Sequence, residues 1–127
     1  MAEDNIIIQK VTTLKFKNLG YMIDVANNGL EVLSMLENQF YDIILMDMQM
    51  PKMDGIAATE IIRQSHQIQP YIIAVTANFL EEDRQMCLDV GMNDFMTKPI
   101  VIAQLIEAFK NVHLIKSRSY ELPIKPN

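Results

Sequence analysis

Residues 41–55 read YDIILMDMQMPKMDG. Tyr41 to Met46 is a short apolar run, as a strand covered on both faces of a parallel sheet requires. Asp47 closes the run, and Met50-Pro51 and Asp54-Gly55 then turn the chain. Ligands of open α/β sheets bind beyond the carboxyl ends of the strands. A carboxylate placed there is offered to solvent while its backbone is fixed by the core.

Outward from this stretch, helices and strands alternate. Ile6 to Leu19 is predicted helical, with Ile7, Val11 and Leu14 on the inner face, Ile8 beside them, and Lys10, Lys15 and Lys17 outward. Gly20 stops that helix. Tyr21 to Ala26 reads as a short strand, Asn27-Asn28-Gly29 as a turn, and Leu30 to Gln39 as a helix with a Val32, Leu33 and Leu36 stripe. Asp54 caps a helix running to about Gln67. Tyr71 to Thr76 is a second apolar strand. Phe79 to Val90 is a helix whose acidic first turn suits the helix dipole, and Gly91 ends it. Asp94 to Thr97 is a short strand before Lys98-Pro99. Val101 to about Ile115 is the last helix, with Ile102, Leu105, Ile106, Phe109 and Val112 on one face. The alternation predicts an α/β fold with right-handed crossovers and a parallel sheet covered on both faces. The expected division is one domain over 1–115 and a tail over 116–127 holding Pro123 and Pro126.

Composition narrows the function. Half of the 127 residues are hydrophobic, enough for a core, and the net charge is -5. That balance argues against nucleic acid as a direct partner and suits a cation or a basic protein surface. One cysteine, Cys87, excludes an intrachain disulfide and reads as core filling. No signal peptide or membrane span is visible, so a cytoplasmic location is expected.

Three strand ends carry polar groups, Asp47, Thr76 and Lys98, and Glu3-Asp4 precede the first helix. A parallel sheet gathers all of them at one edge. Crowded carboxylates repel unless a cation sits among them, and Mg²⁺ suits a few carboxylates and several waters. Lys98 adds a second positive charge and Thr76 a hydroxyl donor. Such a set can stabilise the equatorial oxygens of a phosphoryl group in transfer, with Asp47 as nucleophile. Singly, each residue has a plain structural reading: Asp47 a turn residue, Thr76 a β-former, Lys98 a surface charge, Glu3-Asp4 a solvated face. Their joint placement makes the functional case.

LMDMQMPKMDG resembles the phosphoacceptor loop of response-regulator receiver domains. AEDN, LGYMIDVANNGLEVL, YIIAVTAN and GMNDFMTKP follow the family's order over nearly the whole chain, with wording most like receivers of hybrid sensor histidine kinases. The resemblance implies a flavodoxin-like, CheY-like doubly wound sheet of order 2-1-3-4-5. It implies that Asp47 takes a phosphoryl group from the phosphohistidine of a histidine kinase or histidine phosphotransfer domain. Glu3 and Asp4 match the acidic pair, with Mg²⁺ held by Asp4, Asp47 and the Gln49 carbonyl. Thr76 matches the switch hydroxyl, Lys98 the family lysine, and Phe95 the switch aromatic. Pro99 matches a proline after a cis bond. Gln49 and Asn78 fall at variable positions that tune dephosphorylation. The expected activity is self-catalysed phosphotransfer with slow hydrolysis, not turnover, switching the 79–115 face.

Two departures stand out. Receivers carry an apolar first strand before the acidic pair, yet Glu3 lies two residues from the start of this sequence. The first strand therefore reads as truncated, borrowed from another chain by strand exchange, or replaced by a rearranged sheet. The second departure is Ile8, where hybrid-kinase receivers often have Asn; deeper helix packing is expected from it. The alternative function is a degenerate, non-phosphorylated receiver serving as an interaction module. An aspartyl-phosphate hydrolase is disfavoured because Gln49 stands where a second acid is wanted. A flavodoxin is disfavoured because no hydroxyl-rich phosphate loop is present. Cognate kinase, output and oligomeric state are not encoded in any motif.

Overall fold

The computed structural model describes residues 1–65, 69–77 and 80–110. Its elements in chain order are α1 (Ile6–Asn18), α2 (Gly29–Asn38), β1 (Ile43–Asp47), α3 (Gly55–Gln64), β2 (Tyr71–Thr76), α4 (Glu81–Asp89) and β3 (Asp94–Thr97). Residues 102–110 form a further helix, α5. Val112 and the 116–127 tail lie outside the described residues.

The strands are parallel in the order β1-β2-β3, with Ile43 opposite Tyr71 and Thr76 opposite Thr97. Strand side chains alternate between faces. Ile44, Met46, Ile72 and Ala74 join one core with Val32, Ala58, Ile62 and Cys87 from α2, α3 and α4. Leu45, Ile73 and Val75 join the other with Phe16 from α1 and Leu105 and Ala108 from α5. Two-sided burial is why β1 and β2 are apolar throughout until Asp47 and Thr76.

The caps follow the sequence. Asp54 Oδ1 accepts the Ala57 N–H at 2.9 Å at the start of α3. Gly91, at φ 104°, ends the α4 turn in the left-handed region. Gly55 serves close packing, because a Cβ there would collide with the Asp47 carbonyl oxygen and the Met46 side chain. Between them, Met53 N–H donates to Pro51 O at 2.7 Å around Lys52 at φ 67°, a strained γ-turn that reverses the loop.

Three expectations are corrected. Tyr21–Ala26 is not a strand: only Ala26 makes a bridge, to Ala2, and Ala2 also bridges Met46. A ladder needs successive bridges, and among the described residues this segment has only the one at Ala26. The inner face of α1 is not Ile7, Val11 and Leu14, which are exposed; Thr12 and Phe16 are buried instead. Phe16 decides the rotation. Its ring packs on Phe109 at 5.6 Å and Tyr21 at 6.1 Å. Burying it is worth roughly 2–3 kcal/mol. An isoleucine left at the surface merely gains nothing on folding. Finally, α4 starts at Glu81, with Leu80 as its N-cap and not within the helix; Phe79 lies outside the described residues. Cys87, as expected, fills the core, and burial pushes its thiol up to about 11.

Candidate functional site

The carboxyl edge of the sheet holds one cavity of about 380 Å³. Glu3, Asp4, Asp47, Gln49, Thr76 and Lys98 all line it. Each arrives by a different route. Asp47 ends β1 and is 5% exposed. Thr76 ends β2 and is buried. Lys98 follows β3, and its peptide bond to Pro99 is cis. Glu3 and Asp4 lead from the Ala2 bridge into α1, Glu3 buried and Asp4 exposed.

Carboxylate oxygens of Glu3, Asp4 and Asp47 lie within 4.8 Å of one another. Lys98 Nζ sits 2.8 Å from Asp47 Oδ2 and 2.8 Å from Glu3 Oε1. The Gln49 backbone N–H donates to Asp47 Oδ1 at 3.1 Å. Two carboxylates thus share one ammonium, and a third, Asp4, lies beside them. Burial pushes the Glu3 carboxyl up, offset only in part by Lys98 and the Asn5 N–H. Burial pulls the Lys98 ammonium down, but its bonds to Asp47 and Glu3 outweigh this and hold it above its ordinary value. The cluster is therefore short of positive charge, and its hard oxygen donors fit a hard divalent cation such as Mg²⁺.

Residues not singled out in the sequence hold Glu3 in place. Asn5 Oδ1 caps α1 by accepting the Ile8 N–H at 3.1 Å, while its own N–H donates to Glu3 Oε2 at 3.0 Å. Gln9 Nε2 donates to the Glu3 carbonyl oxygen and to Asn27 Oδ1. An Asn directly before a helical run was the available signal for the cap. Ile8 is half-buried and lines the cavity wall, so it borders the site. Phe95 is not in the cavity; it packs half-buried on the core that includes Met48 and Cys87. Asn78 lies outside the described residues.

The family model for the response regulator receiver domain matches residues 1–110. The chain belongs to that family. Hybrid signal transduction histidine kinase B of Dictyostelium discoideum is 40% identical over 129 residues, covering 90% of this chain and 6% of the kinase. The chain thus spans a small fraction of such relatives. Among solved structures, the receiver domain of a Pseudomonas aeruginosa sensor histidine kinase, with magnesium coordinated in its active-site cleft, is 39% identical with a TM-score of 0.78. That match covers 87% of this chain and 91% of that one. The receiver domain of Saccharomyces cerevisiae Ssk1, solved with the histidine phosphotransfer protein Ypd1, superposes with a TM-score of 0.82 at 26% identity, covering 91% and 87%. The fold is the CheY-like receiver α/β fold, and the relatives are hybrid histidine kinases.

Proposed function

We propose that this receiver is an active phosphoacceptor: Asp47 takes a phosphoryl group from a partner's phosphohistidine. One observation carries the reading. A single ammonium, Lys98, is 2.8 Å from Asp47 Oδ2 and 2.8 Å from Glu3 Oε1, in a cavity open to solvent. An Asp47 oxygen attacks phosphorus, the N–P bond breaks, and the imidazole nitrogen takes up a proton. Lys98 turns from carboxylate to phosphoryl oxygen as charge is transferred, and the Thr76 hydroxyl donates to another oxygen. Glu3, Asp4, Asp47 and the Gln49 carbonyl are the residues that would hold Mg²⁺. Bound there, Mg²⁺ supplies charge to the phosphoryl oxygens.

The donor must lie over the cavity mouth, beside α1. Ile6, Ile7, Val11 and Leu14 are exposed along that helix. This row supports docking of a histidine phosphotransfer domain through an apolar face. The switch proposed for the other flank draws Thr76 toward the phosphoryl group and lets Phe95 move, changing the α4–β3–α5 surface. A cytoplasmic setting accords with this chemistry, and among the described residues no helix is long and apolar enough to cross a membrane.

Incubation with acetyl phosphate and Mg²⁺ should give one acid-stable, base-labile phosphoryl group, lost in Asp47→Asn. Labelling retained in that variant refutes the assignment. Wild-type protein that binds no Mg²⁺ and takes no label would instead be an interaction module.

A further inference from the structure

A run of hydrogen bonds joins the first turn of α2 to the acidic segment that enters the site. Glu31 Oε1 accepts the Asn27 backbone N–H at 3.1 Å and Asn27 Nδ2 at 3.1 Å. Asn27 Oδ1 accepts Gln9 Nε2 at 2.8 Å, and the same Nε2 donates to the Glu3 carbonyl oxygen. The polarity of this relay is fixed. An ionised carboxylate only accepts, so Asn27 turns its Nδ2 to Glu31 and its Oδ1 to Gln9. A carbonyl oxygen only accepts too, so Gln9 presents its amide nitrogen to both neighbours. Flipping either amide sets oxygen against oxygen.

Both ends of the relay are anchored. The Glu31 backbone N–H donates to Asn28 Oδ1 at 3.0 Å, which caps α2. Gln9 is half-buried, and its backbone N–H bonds Asn5 O at 2.9 Å where α1 begins. The Glu3 carbonyl belongs to the peptide unit that Glu3 shares with Asp4, so holding it sets the direction in which Asp4 leaves. The Glu3 side chain has other holds, Lys98 Nζ at 2.8 Å and the Asn5 N–H at 3.0 Å. Asp4 is exposed, yet its carboxylate comes within 4.8 Å of those of Glu3 and Asp47. Rotating the Glu3–Asp4 peptide would displace Asp4 while Lys98 kept Glu3 and Asp47 together. Mg²⁺ tolerates little displacement, because it demands near-octahedral oxygens at about 2.0–2.1 Å.

On the reading that the site holds Mg²⁺, we propose that Gln9 is a positioning residue for it. By clamping the Glu3 carbonyl between α1 and the 27–29 turn, Gln9 aims the Asp4 carboxylate into the cation site, and Asn27 acts through Gln9. The relay governs metal affinity. The phosphoryl chemistry stays with Asp47, Thr76 and Lys98.

Calorimetric titration of the 127-residue chain with Mg²⁺ tests this. Gln9→Met keeps side-chain length and helix preference and removes the donor. It should raise the Kd for Mg²⁺ about tenfold, as loss of a group that orients a ligand from behind does. Half-saturation of acetyl phosphate labelling should move to higher Mg²⁺ by the same factor, while the rate at saturating Mg²⁺ falls far less. Asn27→Ala, at an exposed position, should raise the Kd by a smaller factor. The double variant should match Gln9→Met alone, because Asn27 acts only through Gln9. Wild-type binding with an unchanged Kd in either variant overturns this proposal and leaves the phosphoacceptor reading standing. Full additivity of the two substitutions, or a loss confined to the saturated rate, overturns it as well. Wild-type protein that binds no Mg²⁺ overturns both readings together.

Discussion

Lys98 at the carboxyl edge of the sheet and Arg63 at the amino edge are long cations in opposite company. At the carboxyl edge, Lys98 faces two carboxylates across an open cavity. At the amino edge, Arg63 pairs with no carboxylate among the described residues. Its Nε donates to Gly91 O at 2.8 Å, one terminal nitrogen to Gln69 Oε1 at 2.8 Å and Pro70 O at 2.9 Å, and the other to Asn93 Oδ1 at 2.7 Å. Asn93 in turn accepts the Ile72 N–H at 2.8 Å. Burial lowers the Arg63 pKa with no anion to oppose it, whereas carboxylates hold Lys98 above its ordinary value. A guanidinium wedged among neutral acceptors is a fixed clamp on the loops that start β2 and β3. An ammonium shared by two carboxylates can be handed to a third anion. The first is suited to stability, the second to chemistry.

Lys98→Met should break this contrast most strongly. Losing one preorganised donor to developing phosphoryl charge costs about a hundredfold in rate. Labelling by acetyl phosphate with Mg²⁺ should slow by that order, while far-ultraviolet circular dichroism keeps the wild-type shape. An unchanged labelling rate would mean that Lys98 only neutralises Asp47. The same variant tests the linkage. Lys98 has a raised pKa in the folded state, so its contribution is full below its ordinary 10.5 and is lost as pH climbs through the raised value. Urea midpoints of the wild type should therefore fall on that alkaline limb more steeply than those of Lys98→Met.

Glu3 has the opposite sign from most carboxyls. Its pKa is raised by burial, so the folded state binds its proton more tightly than the unfolded chain does. Stability from this group falls as pH rises from its ordinary 4.5 through the raised value. Glu3→Gln should flatten that acid limb. A steeper limb in the variant would show that Lys98, not burial, governs Glu3.

Arg63→Met should do the reverse of Lys98→Met. It leaves acceptors at Gly91, Pro70 and Asn93 without their donor, a loss of about 2 kcal/mol in unfolding free energy. Phosphoryl labelling at Asp47 should stay within about twofold while the variant is folded, because Arg63 sits at the far edge. Wild-type stability with impaired labelling would invert the roles assigned to the two edges.

The carboxyl edge is legible in the sequence and the amino edge is not. Asp47 and Thr76 each end an apolar run, and Lys98 precedes a proline after a short strand, so strand reading alone puts them together. Arg63 has no such mark. Its four partners, two backbone carbonyls and two side-chain amide oxygens, are scattered between 69 and 93 and brought together only by the sheet. The α1 face is hidden for a related reason: Ile6, Ile7 and Ile8 are consecutive and give the helix no phase. Phe16 supplies it through Tyr21 and Phe109, which belong to other elements. Tyr21–Ala26 has strand composition, but strand identity depends on pairing, which no local pattern reveals. The membership of Glu3 and Asp4 in the site is legible too. The bonds that fix Glu3 are not, because Asn5, Gln9 and Asn27 meet only once α1 has docked beside the 27–29 turn.

One helix row connects the two edges. Gly55, Thr59 and Arg63 are spaced by four residues on the same side of α3. Gly55 lies against the Asp47 carbonyl, and Arg63 clamps the opposite edge. Thr59 between them is fully buried, and its hydroxyl oxygen has no hydrogen-bond partner among the described residues. A buried hydroxyl without a partner forfeits its hydration and gains nothing in return. Thr59→Val keeps the shape and removes the polar atom. It should leave unfolding free energy unchanged or raise it by up to about 1 kcal/mol, with Asp47 labelling unaffected. Urea unfolding and the labelling assay together decide it. A loss of more than about 1 kcal/mol would show that the hydroxyl has an acceptor and that the α3 row is pinned at its middle as well as at its ends.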